Sequence, residues 1–173
     1  MKPVKIPLSA AGIERAIRAV ADHRDWLQKR SYELLERLAQ EGLEIASTRF
    51  QRAVYDGDND TRVSVEERGR SIRAVVAVGG AVLFIEFGTG VRYPDRHPEA
   101  PAHGMVRGGY GKGHGRQSAW GYYGDPGTNG QVKTKADGGS VVITRGNPAN
   151  MPMYEAVKAL QARLPVLVRE VFR

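Results

Sequence analysis

Thirteen of the 21 glycines in this 173-residue chain fall between Gly90 and Gly139. Glycine loses more backbone freedom on folding than any other residue and brings no side chain to bury, so such a stretch contributes little to a core. The packed structure must therefore come from the two flanks. Fifty residues without regular structure are uncommon inside a compact domain and usually form a binding element. Residues 88–139 are accordingly expected as an extended interaction loop within a single domain spanning residues 1–173. A domain of this length can bury roughly 70% of the surface its unfolded chain exposes.

The first flank, residues 9–55, reads as helical. Ile13, Ile17 and Val20 recur at spacings of four and three, and Leu27, Leu34, Leu38 and Ile45 continue the stripe. Ser9 is a suitable N-cap, and Asp25 with Gln28 resembles a second capping signal, so a break is expected near Asp22–Asp25. Gly42 marks either a tolerated flaw or a close backbone approach.

Asp56-Gly57-Asp58-Asn59-Asp60 stops this pattern. It lacks the glycine and glutamate offsets of a calcium loop and reads as a solvated turn. Thr61–Glu67 alternates polar and apolar residues, and Ile72–Val78 is rich in β-branched side chains, so the two are expected to pair as an antiparallel hairpin across Gly69. Ala81–Phe87 is too short and too uniformly apolar for periodicity to choose between strand and helical turn. Residues 61–87 thus hold the hairpin and the segment that follows it.

The second flank, residues 140–173, holds a third strand at Ser140–Thr144 and a helix opened by Pro152. Met153, Val157, Leu160, Leu164, Leu167 and Val171 lie on one apolar face, and Pro165 is expected to kink or break the helix after Leu164. The class is therefore α+β: an N-terminal helical region, a small antiparallel sheet made of the hairpin plus a third strand, a long glycine and aromatic insert, and a C-terminal amphipathic helix.

The net charge of +7 is uneven, with twelve basic and six acidic side chains from Val91 onward. A basic surface suits phosphate backbones and acidic proteins alike. The absence of cysteine excludes disulfides, thiolate metal sites and cysteine nucleophiles. No apolar run approaches a membrane span, and neither membrane contact nor a cofactor is expected.

No catalytic constellation emerges. His97, His103 and His114 with Asp95 and Glu99 match no ligand frame and read as solvated loop residues. Gly108–Gly115 fails both fixed positions of a phosphate-binding loop. Glu66, Glu67 and Glu86 have no sequence neighbours that suggest a tuned acid and base pair, and the chain reads as a non-enzyme. Arg107, Tyr110, Lys112, Arg116, Trp120, Tyr122 and Tyr123 interleave cations with aromatics. That pattern suits either a protein interface or the stacking of single-stranded bases.

Two segments, Phe84-Ile-Glu-Phe-Gly-Thr-Gly90 and Gly146-Asn-Pro-Ala-Asn-Met-Pro-Met-Tyr-Glu-Ala156, resemble the gene-product-ten-like minor structural proteins of lambdoid and related siphophages. These are neck, tail-component or tail-completion proteins. The resemblance runs from about Ile72 to Leu160 and is carried by Phe84, Glu86, Phe87, Gly88, Thr89, Gly146, Pro148 and Pro152. It departs at Met153-Tyr154, where many members carry Phe-Leu. It implies a ring subunit at the head–tail joint, assembled in the host bacterial cytoplasm and resident in the virion. Its partners would be copies of itself, adjoining neck and tail proteins and, on the basic surface, exiting DNA. No catalytic residue, metal or cofactor accompanies it.

Overall fold

The computed structural model describes residues 7, 9–90, 96–106 and 117–173. The class is α+β, with a long N-terminal helix, two small antiparallel sheets and a C-terminal helix.

Helix α1 runs unbroken from Ala10 to Gln51. Ser9 caps it as expected, its hydroxyl accepting from the Gly12 amide at 3.2 Å. The break expected near Asp22–Asp25 is absent. Asp25 bonds the Arg24 guanidinium at 2.8 and 2.9 Å rather than an amide further on. No proline or glycine interrupts residues 13–41, so propagation at one hydrogen bond per residue outweighs a weak local stop signal.

The hairpin forms in the expected place. Strand β1, Arg62–Glu67, pairs antiparallel with β2, Arg73–Val78, in a register that sets Val63 opposite Ala77 and Val65 opposite Val75. Gly69 turns the chain with φ +80°. The undecided segment is helix α2, Val82–Phe87. Its start is held by Asp60, whose carboxylate accepts from the Gly80 and Ala81 amides at 2.7 and 3.0 Å. Asp56 is buried in the same stretch. The acidic turn is solvated at Asp58, Asn59 and Asp60, as its composition suggests, but through buried Asp56 and the Asp60 contacts it is also a structural joint.

The 140–144 segment is a strand, but it does not join the hairpin. It is β5, Ser140–Thr144, at the centre of a second sheet with β3, Trp120–Tyr122, on one side and β4, Gln131–Thr134, on the other. The last third of the expected loop thus carries two short strands, β3 and β4. Strand β4 joins β5 as a hairpin across the 135–139 turn, whereas β3 reaches β5 over some twenty residues. Thr128 ties this sheet to the segment after α1, donating to the Tyr55 carbonyl from both its amide and its hydroxyl.

Helix α3 extends from Pro152 to Val171 and continues through Pro165. Proline removes one amide donor, yet residue 165 is exposed, and the helix continues into a last turn anchored by buried Leu167 and Val171. The apolar face is rotated from the expected one. Ala156, Leu167 and Val171 are buried, whereas Val157 and Leu164 are exposed.

The core lies where the last turns of α1 meet the hairpin, α2 and the first turn of α3. Phe50, Ala53, Ala81 and Ile85 form its centre, surrounded by Val63, Ala77, Val82 and Met153. Full burial of Phe50 and Ile85 stabilises the fold by about 1.5–3 kcal/mol each. Further along α1, Gly42 is a close approach: a Cβ there would stand 3.0 Å from Leu160 Cδ1 and 3.2 Å from Val75 Cγ2. The missing side chain lets α1 sit between β2 and α3.

Candidate functional site

The two segments that carry the family resemblance fold against each other. The Thr89 amide donates to the Asn147 carbonyl at 2.8 Å, and the Asn147 amide donates back to Thr89 Oγ1 at 2.9 Å. The Asn150 amide donates to the Ile85 carbonyl at 2.9 Å. Glycine is required at this crossing. Gly88 has φ +76°, and a Cβ on it would lie 2.6 Å from the Ala149 nitrogen and 2.7 Å from the Asn147 oxygen. Gly146 has φ +95°, and a Cβ on it would overlap the Thr89 carbonyl oxygen. Positive φ and backbone contact together exclude every other residue type.

Glu86 sits at the centre. Its carboxylate accepts from the Met153 amide at 2.8 Å, the Tyr154 amide at 2.9 Å and His97 Nε2 at 3.1 Å. Met151, which occupies the N-cap position of α3, adopts φ +54° and offers no side-chain cap. Glu86 therefore satisfies the free amides at the start of α3 from another element, where the helix dipole favours a negative charge. His97 is buried, and its Nδ1 accepts from the Glu99 amide at 3.1 Å. An acceptor at Nδ1 requires the ring proton on Nε2, which is the nitrogen facing Glu86. Phe87 and Tyr154 pack on the imidazole with ring centroids 4.5 and 5.3 Å away.

Around this centre the Asn147-Pro148-Ala149-Asn150 turn binds the segment that follows α1. The Asp56 amide donates to Asn147 Oδ1 at 2.6 Å. The Asn150 side chain accepts from the Val54 amide at 2.9 Å and donates to its carbonyl at 3.0 Å, as a neighbouring strand would. One turn thus joins the exit of α1 to α2 and α3. Pro152 is fully buried in the first turn of α3.

Beneath the turn, neither oxygen of the Asp56 carboxylate reaches a hydrogen-bond partner. Burial raises its pKa above the ordinary carboxylate value, and the nearby Thr144 and Asn129 side chains only partly oppose the shift. Asp60 behaves oppositely, its pKa lowered by the two amides it accepts from.

Arg107, Tyr110, Lys112 and Arg116 lie outside the described residues, as does His114. Trp120 and Tyr122 are brought together on β3, and the Tyr122 hydroxyl donates to the Asp125 carbonyl at 2.7 Å. Tyr123 is exposed, with the Lys135 ammonium bonded to its hydroxyl and 4.6 Å from its ring centre. His97 is not the solvated loop residue its surroundings suggest. Glu86, which has no suggestive neighbour in sequence, faces that histidine across a gap of eleven residues. The only local signal for the pair was an ionisable residue inside the apolar run Val82–Phe87, which must find a partner if buried. His103 is exposed and stands 3.9 Å from Glu99. Among the described residues no group of three His, Asp or Glu side chains is placed to hold a metal, and no helix is long and apolar enough to cross a membrane.

No family model, curated protein or solved structure matches the chain.

Proposed function

We propose that this protein is a structural subunit of a bacteriophage head–tail joint, assembling with copies of itself into a ring that connects the DNA-filled head to the tail. The observation that carries this reading is the meeting of Phe84–Gly90 with Gly146–Ala156. Residues dispersed over some seventy positions form one backbone-locked junction at the foot of α3, and they are the residues on which the resemblance rests. A junction of this kind gives the rigid core that a ring subunit needs while its outer surfaces engage neighbours.

The exposed apolar residues support the same reading. Ile13, Ile17 and Val20 on α1 and Val132 on the edge strand β4 face outward, and uncovered apolar patches mark interaction surfaces. The basic second half of the chain then faces exiting DNA or an acidic neighbouring ring.

Electron microscopy of particles from a phage with this gene interrupted tests the proposal. Full heads beside unattached or overlong tails are expected; normally joined virions would refute it.

A second reading, a single-stranded nucleic-acid binder, is favoured by one observation, the exposed Tyr123 ring with Lys135 against it. A base stacked there would be held by the ring face and the cation together. Such binding falls steeply with salt and is retained by the isolated monomer, whereas a neck subunit engages virion proteins first.

A further inference from the structure

Asp56 is 5% exposed, and neither oxygen of its carboxylate reaches a hydrogen-bond partner. Its backbone shows why the side chain cannot turn outward. The Tyr55 amide donates to Thr128 Oγ1 and the Thr128 amide donates to the Tyr55 carbonyl, both at 2.8 Å, while the Asp56 amide donates to Asn147 Oδ1 at 2.6 Å. Gly127 closes on the same stretch, where a Cβ would lie 2.7 Å from the Gly57 nitrogen and 3.0 Å from Asp56 Cα. Residues 55–57 are thus clasped between the turn before β4 and the turn after β5. The clasp must open before the carboxylate can reach water.

Both arms of the clasp lead into the second sheet. The core around Phe50, Ala53, Ala81 and Ile85 takes no residue from that sheet, so the sheet can lift while α1, the hairpin and α3 stay packed. Opening a unit of this kind costs less free energy than unfolding the whole chain.

No counter-charge faces Asp56 among the described residues. Its neighbours Thr144 on β5 and Asn129 before β4 are neutral. Tyr55 and Asp60 on its own segment, Tyr122 on β3 and Asp125 beyond that strand are neutral or negative at neutral pH. Lys133 on β4 stands opposite Val141, so it points away from the face that carries Val142 and Thr144. Arg52 and Arg145 are exposed, and Arg49 pairs with Glu155. A buried carboxylate in such surroundings is driven to keep its proton.

We infer that Asp56 is a proton-operated latch for the second sheet: protonated, it can donate to Thr144 Oγ1 or to the Asn129 side chain and the clasp stays shut, whereas loss of the proton to water leaves a stranded anion that drives the clasp open. The direction follows from burial, which raises the pKa of the seated carboxyl. The seat is tight below the solvated value of about 3.9 and loosens as pH rises through the seated value. The latch is independent of the head–tail reading.

Hydrogen exchange followed by mass spectrometry on the full chain tests this from about pH 4 to pH 8, with rates corrected for the intrinsic pH dependence of amide exchange. Protection of residues 120–122, 131–134 and 140–144 is expected to fall about tenfold or more across this range, the equivalent of one pKa unit, while that of residues 30–50 in α1 stays level. Asp56→Asn and Asp56→Ser, which have no proton to lose, should hold the sheet protected throughout. Level protection of the sheet in the parent would overturn the proposal, as would a fall shared by α1, which marks global unfolding. The same fall in either variant would also overturn it. The parent by itself can give the first two of these results, so the test stands whether or not the variants fold.

Discussion

The Glu86 carboxylate lies 2.8 Å from the Met153 amide, so the last turn of a six-residue helix caps the first turn of a twenty-residue one. The same carboxylate holds His97. Replacing Glu86 with alanine leaves two helix amides and a buried imidazole N–H without an acceptor. Loss of about 2–4 kcal/mol of stability is expected from the stranded donors. Glu86→Gln keeps an acceptor and should cost about half as much. Urea unfolding followed by circular dichroism distinguishes the two, and equal effects would show that the carboxylate is not the cap.

Gly88 and Gly146 need both positive φ and contact space, whereas Gly138 needs only the former, having φ +83° and no atom within 4 Å of the position a Cβ would take. Alanine at Gly138 is expected to cost about 1 kcal/mol through backbone strain alone. Alanine at Gly88 or Gly146 should prevent the junction from closing and leave little soluble folded protein. Soluble yield and near-ultraviolet circular dichroism of the three variants provide the comparison.

Two carboxylates four residues apart should respond oppositely to pH. Burial raises the Asp56 pKa, so the folded state binds its proton more tightly than the unfolded state does. That contribution is fully present below the unfolded value of about 3.9 and is lost as pH rises through the folded value. Asp56→Asn should therefore be more stable than the parent at pH 7, with the advantage shrinking toward pH 4. The amides of Gly80 and Ala81 lower the Asp60 pKa. Its contribution is present above the unfolded value and is lost as pH falls through the folded one. Asp60→Asn should be less stable than the parent at pH 7, and the deficit should close in acid. Urea midpoints across this range report both signs.

At Gly42 a methyl group would meet Leu160 and Val75 at 3.0 and 3.2 Å. Alanine gains about 1 kcal/mol of helix propensity, which crowding offsets, so a near-neutral effect is expected. Gly42→Leu has no such room and should cost about 1–3 kcal/mol by forcing the hairpin and α3 away from α1. Thermal unfolding of both variants measures the difference.

Much of the helical and hairpin architecture was readable because its signals are local. Ser9 caps its own helix, Gly69 turns its own hairpin, and Val63 and Val65 alternate along one strand. The break at Asp22–Asp25 was misread because a capping signal competes with the helix around it, and Arg24 took the Asp25 carboxylate. Val157 and Leu164 were misplaced because six apolar residues on α3 fill a face wider than its contact with α1. Strand β3 has no local signal because its partner β5 lies some twenty residues on, and β4, Gln-Val-Lys-Thr, pairs with β5 as a hairpin but is only four residues long and wholly exposed, so no apolar alternation marks it.

The candidate site divides in the same way. Its glycines and prolines stood out in the sequence, because few residue types tolerate positive φ or begin a helix without an amide donor. Local patterns were enough for the α+β class, the hairpin, the capped first helix and the residues of the two motifs. Folding of the whole chain was needed to make Glu86 the cap of α3 and the holder of His97, to place the Ser140–Thr144 strand in a second sheet, and to bury Asp56 while binding Asp60. Each of these joins residues from separate elements, and such contacts follow from the packing of the whole chain, which no local pattern encodes.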